Sequence, residues 1–304
     1  MRVSNPMMAG HVMGWLQEAQ ERMFGTQAHA ASGRRILRPS DDPTGTARVL
    51  TLRSDAARNS QYLADIGNAS SWLGLCDSTL AGVNSAIEQL RDLAIQGANL
   101  APSEPGRQSL AAVARQVYGR LVELGNTKVN DRYLLAGQAT ATKPLVATGG
   151  VPPVAYAGAA APPAITISDG LTVEVAVTAD QVFNLGGAAD PAHEDLFAVA
   201  QRMIDLLENG GSCQDLSGLV AELDFHFEQV LAGRGEVGSR AQTCNMATSR
   251  LRAVQDDITA AISSIEDADL TEVLVELAEE QNAYQAAAGI AASLHQFSLM
   301  DYLW

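Results

Sequence analysis

Apolar residues recur every three or four positions along two long stretches of the chain, residues 62–94 and 237–265. In both stretches the steps alternate between four and three, which is typical of helices that pack as a coiled coil. The first series is Tyr62, Ile66, Ala69, Leu73, Cys76, Leu80, Val83, Ile87, Leu90 and Ala94. The second is Val237, Ala241, Cys244, Thr248, Leu251, Gln255, Ile258, Ile262 and Ile265. The pattern therefore predicts two long helices, each with a heptad seam.

Shorter apolar stripes mark both ends of the chain and one further helix. The N-terminal stripe is Met8, Val12, Trp15, Ala19 and Met23, and the C-terminal stripe is Leu270, Val273, Leu274, Leu277, Tyr284, Ala287, Ala291 and Leu294. A third stripe, Leu110, Val113, Val117, Leu121 and Leu124, follows the first seam. Two isolated terminal helices would be marginal in water. We therefore expect neighbouring subunits to complete the terminal stripes.

Residues 141–191 have a different pattern, with six of the eleven prolines and few charges. Within them "ITISDGLTVEVAV" alternates apolar and polar residues around Ser-Asp-Gly, which predicts a β-hairpin that turns at residues 168–170. Ile165 and Ile167 would face one way, as would Leu171, Val173, Val175 and Val177. The whole pattern thus predicts a mainly α protein with a small β insertion.

The net charge of −15 is unevenly distributed along the chain. Residues 1–140 carry 14 basic and 12 acidic groups, whereas residues 193–280 carry 5 and 18. The acidic half either forms a solvated face or packs against the near-neutral N-terminal half. In either case the sequence has no basic patch that could bind nucleic acid. No apolar run is long enough to insert in a membrane, and we expect no cleaved secretory signal.

Groups that could perform chemistry are scattered along the sequence. His193, Glu194 and Asp195 are consecutive and would diverge on a helix, and His226 is expected to be exposed or partly buried on its helix. The cysteines at 76, 213 and 244 lack the spacing of a disulfide framework or zinc site, and two of them occupy seam positions. We predict no catalytic residue, no cofactor and no metal site, and hence no enzyme.

Four segments carry a resemblance to a known family: "MRVSNPMM", "ASGRRILRPSDDPTGTARV", "NDRYLLAGQAT" and "AASLHQFSLMDYLW". Together they resemble the flagellar hook-associated protein 3 family of the flagellin superfamily. Arg132, Tyr133 and Gly137 match one family motif, although Asp131 replaces its usual glycine and Leu135 its aromatic residue. Flagellin, the filament subunit, is the alternative. It usually has Ala-Ala-Gly after the paired aspartates, where this chain has Pro43-Thr44-Gly45.

The resemblance implies a flagellin-like fold of five segments. Residues 1–42 and 267–304 would be the two helices of an inner coiled-coil domain. Residues 43–140 and 193–266 would form the helical rod domain, and residues 141–192 a β-rich inserted outer domain. An elbow motif, Arg38, Pro39, Ser40, Asp41, Asp42 and Pro43, would link the terminal helix to the rod. Ser40, Asp41 and Asp42 would accept hydrogen bonds from the N–H groups that open the next helix, with Pro43 at the first helical position, or the two aspartates would meet arginines of a neighbouring subunit.

The family also implies a structural role in bacterial motility. The protein would be exported by the flagellar type III apparatus with a chaperone on its C-terminal helix. It would then form an extracellular ring between the first hook-associated protein and flagellin. The assembly interface would consist of Met8, Val12, Trp15, Leu277, Tyr284, Ala291 and Leu294. A cytoplasmic coiled-coil scaffold would share the heptads but not the terminal motifs.

Overall fold

The computed structural model describes residues 5–99, 104–150 and 153–302, with side chains described from residue 10 to residue 292 of these ranges. The long helices are α1 (Asn5–Ser32), α2 (Pro43–Asn99), α3 (Glu104–Gly125), α6 (Cys213–Glu266) and α7 (Leu270–Tyr302). Two shorter helices, α4 (Ala179–Val182) and α5 (Leu196–Asn209), lie between α3 and α6, with a 3-10 turn at Leu185–Gly187. This confirms the predicted mainly α fold.

The chain divides into two compact units. One consists of Met1–Arg58 with Ala253–Trp304, and the other of Asn59–Arg252. Among the described residues, no helix combines the length and apolarity that a membrane span requires.

In the unit formed by residues 59–252, α2 and α6 run antiparallel. Asn59 donates a hydrogen bond of 2.8 Å to the Leu251 carbonyl, and Arg234 pairs with Asp77 at 2.9 Å. Further along α2, Arg91 pairs with Asp224 at 2.8 Å. The predicted seam from Ile66 to Ala94 is buried throughout. Both heptad series are thus confirmed, and Cys76 and Cys244 occupy core positions as expected.

The predicted stripe on α3 is wrong at one position, since Val113 is 44% exposed. The face that α3 buries instead consists of Ala111, Ala114, Val117, Leu121 and Gly125. Gly82 of α2 lies against Leu124 of α3, and α3 also packs against α5. Near Val113, the residues of α3 that lie in the core are therefore Ala111 and Ala114.

The strands in the described residues form antiparallel pairs. β1 (Lys128–Val129) pairs with β2 (Arg132–Tyr133) before the insertion, and within it β3 (Leu145–Ala147) pairs with β4 (Val154–Tyr156) and β5 (Ala164–Ser168) with β6 (Leu171–Glu174). The β5–β6 pair is the predicted hairpin, and its turn uses Gly170 at φ +76°. Ile167 and Val173 are buried as expected. Leu171 is 44% exposed, because it stands next to the turn and has no core beneath it.

Some acidic groups of the C-terminal half form ion pairs with basic groups of the N-terminal half. Arg53 of α2 pairs with Glu266 of α6, and Arg115 of α3 pairs with Glu208 of α5. Many other acidic groups of the C-terminal half, such as Asp256 and Glu279, face solvent. Both arrangements considered for the acidic half are therefore present, each at different residues.

His226 is fully buried, which corrects the expectation of an exposed or partly buried residue. It lies on α6 beside His193, whose ring stacks on Phe225 at 3.7 Å and whose Nδ1 is 3.0 Å from Glu222. Burial lowers the pKa of His226 to about 4, because desolvation outweighs the favourable effect of Glu222 and the Glu194 backbone. The segment around His193 and Glu194, just before α5, lies against this face of α6, which a helical pattern alone does not reveal.

The depressed pKa of His226 predicts that the protein loses stability in acid. The unfolded imidazole has a pKa of 6.5, so between about pH 6.5 and 4 the unfolded state binds more protons. Stability from the neutral ring is complete above pH 6.5 and falls by about 3 kcal/mol as the pH approaches 4. Denaturant unfolding between pH 7.5 and 4.5 measures this loss. His226→Phe should flatten the dependence of the unfolding free energy on pH. His11→Gln, on α1, should leave that dependence unchanged. Equal slopes in the wild-type protein and both variants would contradict the prediction.

Candidate functional site

The elbow motif caps the start of α2. Asp42 accepts a hydrogen bond of 2.8 Å from the Gly45 backbone N–H and one of 3.2 Å from the Thr44 hydroxyl. Pro43 is the first residue of α2, as expected. The N–H of Gly45 holds the pKa of the Asp42 carboxyl below its ordinary value. A Cβ on Gly45 would lie 2.4 Å from Asp42 Oδ2, so the cap requires glycine at this position.

Asp41 and Ser40 do not take part in this cap, which corrects that part of the expectation. Asp41 Oδ2 accepts hydrogen bonds from the preceding N–H groups of Leu37, at 3.0 Å, and Arg38, at 2.8 Å. Ser40 donates to the Asp41 carboxylate at 3.4 Å. The Arg38 N–H is the largest cause that lowers the pKa of Asp41. Asp41 therefore closes residues 37–41 into a rigid turn, and Asp42 starts the helix.

A second elbow, residues 266–269 between α6 and α7, pairs with the first. Arg35 donates its backbone N–H to the Glu266 carbonyl at 2.7 Å, and Ala268 donates to the Gly33 carbonyl at 3.0 Å. Arg34 and Asp267 form an antiparallel β-bridge. The Arg35 guanidinium spans the pair, with 2.7 Å to the Ile265 carbonyl and 3.3 Å to Asp42. The two reversals are thus joined through their backbones.

Glu266 lies at the centre of the paired elbows. Its carboxylate is 9% exposed and accepts two hydrogen bonds from Arg53 Nη2, at 2.9 and 2.6 Å. Arg34 Nη1 lies 3.1 Å from the same carboxylate. Sequence reasoning missed Glu266, Arg34 and Arg53 because the partners are far apart along the chain. The sequence offered one signal for Glu266, which directly follows Ile265, the last residue of the second heptad series.

Helices α1 and α7 pack against each other. Val12 and Met23 of α1 and Leu277, Tyr284 and Ala291 of α7 are half-buried. Part of the predicted assembly interface thus lies on faces that pack within one chain. The predicted interface residues Met8 and Leu294 lie outside the residues whose side chains the structure describes.

Trp15 does not belong to the packed stripe of α1, which corrects the predicted pattern. It is 63% exposed, whereas Leu16 is half-buried and continues the spacing from Val12 to Ala19. Further exposed apolar side chains on α1 and α7 are Met13, Phe24, Leu270, Leu274, Val275 and Ile290. These outward positions, rather than the packed seam, are available to other subunits.

The family motif begins in the β1–β2 turn. Asn130 and Asp131 have φ values of 47° and 63°, so Asp131 occupies a left-handed position that favours glycine. Lys128 Nζ lies 2.8 Å from the exposed Asp131 carboxylate. Arg132 is exposed, and Tyr133 is half-buried with Lys128 over its ring at 5.8 Å.

Gly137, the last motif residue, packs directly on backbone. It has φ +62°, and a Cβ there would lie 2.0 Å from the Ala159 carbonyl oxygen and 2.8 Å from that of Ala161. Its neighbours Ala136 and Gln138 exchange backbone hydrogen bonds of 2.9 Å with the same segment. The motif glycine therefore holds the start of the β insertion against residues 159–161.

Reactive groups in the described residues do not converge on a common centre. No set of three or more His, Cys, Asp or Glu side chains within the described ranges could hold a metal ion. Burial raises the pKa of the Cys76 thiol to about 12, so this cysteine is an inert core residue. Cys213 is exposed as the first residue of α6.

Two family descriptions match the sequence. The bacterial flagellin N-terminal helical region matches residues 3–140, and the bacterial flagellin C-terminal helical region matches residues 220–303. The chain belongs to the flagellin family. Flagellar hook-associated protein 3 from Escherichia coli is 25% identical over 318 residues, which is 99% of both chains. These matches confirm the resemblance drawn from the terminal and elbow motifs.

Other members of the flagellin family are also similar. Flagellar hook-associated protein 3 of Salmonella typhimurium is 30% identical over 186 residues, covering 60% of this chain and 57% of that relative. A flagellin from Listeria monocytogenes is 23% identical over 97% of this chain and 96% of its own. The crystal structure of flagellar hook associated protein-3 from Legionella pneumophila has a TM-score of 0.65 at 16% identity, covering 71% of this chain and 98% of that one. It supports the fold.

Breaking the Glu266 cluster should loosen the paired elbows. Glu266→Gln removes the negative charge shared by Arg34 and Arg53, and we expect a loss of about 2 kcal/mol because charge-assisted hydrogen bonds of this kind are replaced by weaker ones. Hydrogen exchange of residues 33–42 measures local opening. Glu194→Gln is the matched control, since it breaks the half-exposed pair with Arg202. Equal exchange in both variants contradicts the role given to Glu266.

A methyl group at Gly137 should destabilise the β insertion. Gly137→Ala adds both the left-handed backbone cost, about 1–2 kcal/mol, and the clash with the Ala159 carbonyl. Gly149 also has positive φ, +67°, but has open space around its Cβ direction. Gly149→Ala should therefore show the backbone cost alone. Thermal unfolding should separate the two variants, and equal melting temperatures would contradict the packing role of Gly137.

Proposed function

We propose that this flagellin-family chain is the adaptor at the junction of the flagellar hook and filament. The observation that carries the proposal is the similarity to hook-associated protein 3 along nearly the whole chain. Identical subunits would form a ring between the first hook-associated protein and the first flagellin subunits. The role is structural and requires no catalytic group.

The arrangement of the terminal helices supports this assembly role. Helices α1 and α7 form a two-helix unit, yet Trp15, Phe24, Leu274 and Val275 are all more than half exposed on it. Two paired helices with so much outward apolar surface gain stability when neighbours cover them. In the ring these helices would form an inner coiled-coil tube, with the rod domain outside it and the β insertion facing outward.

The elbow sequence favours the junction protein over flagellin. Pro39 and Pro43 bracket Asp41 and Asp42, and the structure uses both aspartates locally, one for the turn and one for the helix cap. The paired elbows give a fixed connection at the start of α2. A fixed connection suits an adaptor between two assemblies with different mechanical demands.

Export to the cell exterior completes the proposal. An unfolded chain would pass through the flagellar type III apparatus, and an export chaperone would hold the C-terminal helix beforehand. The exposed apolar residues Leu270, Leu274 and Val275 of α7 give such a chaperone a surface to cover before assembly.

Immunogold labelling of intact flagella tests the function. A single label where hook meets filament is the expected result. Label along the whole filament would instead identify the chain as flagellin. Protein that remains in the cytoplasm, with no label on flagella, would favour a coiled-coil scaffold.

Trp15→Asp should remove the junction label without unfolding the rod. Trp15 is 63% exposed, so a charge there should alter stability by only about 0.5 kcal/mol while disrupting a contact with a neighbouring subunit. Met246→Asp is the control, because Met246 is 58% exposed on α6. Leu294→Asp extends the same test towards the C-terminal end. Normal junction label with both Trp15→Asp and Leu294→Asp would contradict the assembly interface.

A further inference from the structure

A small pocket opens beside the first elbow. Its volume is about 180 Å³, and its walls include Arg34, Leu37, Arg38, Leu50, Arg53 and Glu266. Leu37 is 40% exposed and Leu50 is 61% exposed, so the pocket has an apolar rim that the described part of this chain leaves uncovered. An uncovered apolar rim around charged groups is the composition of a binding surface rather than of a folded core.

The pocket has an excess of positive charge. Arg34 and Arg53 share a single carboxylate, that of Glu266. Arg38 is exposed and forms no ion pair within the described residues. The nearby aspartates do not line the pocket, and instead Asp42 pairs with Arg35 and Asp41 accepts the N–H groups of Leu37 and Arg38. The complementary ligand is therefore a surface with carboxylates on either side of an apolar side chain.

The outer face of α7 has this composition. Glu272, Val275 and Glu279 are spaced three and four residues apart, so they project from the same side of the helix. Val275 is 57% exposed, and both glutamates are exposed. The two carboxylates are separated by about 10 Å along the helix axis, with the valine between them. The residues that α7 half-buries, including Val273 and Leu277, lie on its opposite face.

We propose that the elbow pocket of one copy binds the Glu272–Val275–Glu279 face of a neighbouring copy. Val275 would pack between Leu37 and Leu50, and the glutamates would pair with Arg38 and the Arg34–Arg53 edge. A second copy is the favoured occupant because the chain carries both complementary surfaces. The elbow pocket is a basic surface in a protein whose net charge is −15. The inference rests on the proposed self-assembly and adds the surfaces through which it occurs.

Cysteine cross-linking in intact flagella tests this contact. Two full-length variants, Leu50→Cys and Val275→Cys, carry different tags and are co-expressed in a Cys213→Ser background, where the remaining native cysteines, Cys76 and Cys244, are buried. Oxidation with copper–phenanthroline should give a disulfide-linked dimer that carries both tags. Met246→Cys with Val275→Cys is the control pair, since Met246 has the same exposure as Val275 within a few per cent.

Charge reversal provides the second measurement. Arg38→Glu should lower the yield of the dimer roughly tenfold, because like charges would face each other across the contact. Reversing the one glutamate that faces Arg38 should restore the yield, so Glu272→Arg and Glu279→Arg are each added alone and one of the two should rescue. Leu37→Cys replaces Leu50→Cys if that variant fails to reach the flagellum.

The outcomes separate this contact from the junction role. Normal gold label at the junction without the dimer, or with equal dimer from the control pair, overturns the elbow contact and leaves the adaptor role standing. Loss of dimer on Arg38→Glu without restoration by either reversed glutamate also overturns it. Absence of wild-type label from the junction overturns the adaptor role itself.

Discussion

The Glu266 carboxylate is the contact on which the arrangement of the terminal helices depends. It joins Arg34, which follows α1, to Arg53 on α2, and it stands at the end of α6 just before α7 begins. The backbone bonds from Arg35 to Glu266 and from Ala268 to Gly33 fix the same reversals. Because α1 ends and α7 starts at this cluster, the cluster sets the register in which the two helices pack.

This constraint decides which surfaces are free for assembly. Once α1 and α7 are aligned, Val12 and Leu277 lie in their shared seam, whereas Trp15 and Val275 point outward. A pair of amphipathic helices buries one stripe each and cannot cover the rest of its apolar side chains. The stability of the unit within one chain and its association with other chains thus use different faces of the same helices.

Much of the fold could be predicted from the sequence because local spacing reports it. The heptad steps from Ile66 to Ala94, the Asp42 cap with Pro43 at the first helical turn, and the β5–β6 hairpin all follow from interactions within a few residues. The candidate site could be predicted only in part. The elbow was found, but the direction of Asp41 and the choice of Leu16 over Trp15 depend on what packs against each turn and helix.

The sequence by itself determined which kinds of element form, since helix periodicity, caps and turns are short-range properties of the chain. Only the tertiary structure decided which partners meet. Glu266 joins an arginine 213 positions away, and His226 is buried on a face of α6 that the distant segment around His193 and Glu194 contacts. Gly137 is required because a distant backbone segment passes within contact distance. Such contacts depend on three-dimensional proximity, which the order of residues does not report.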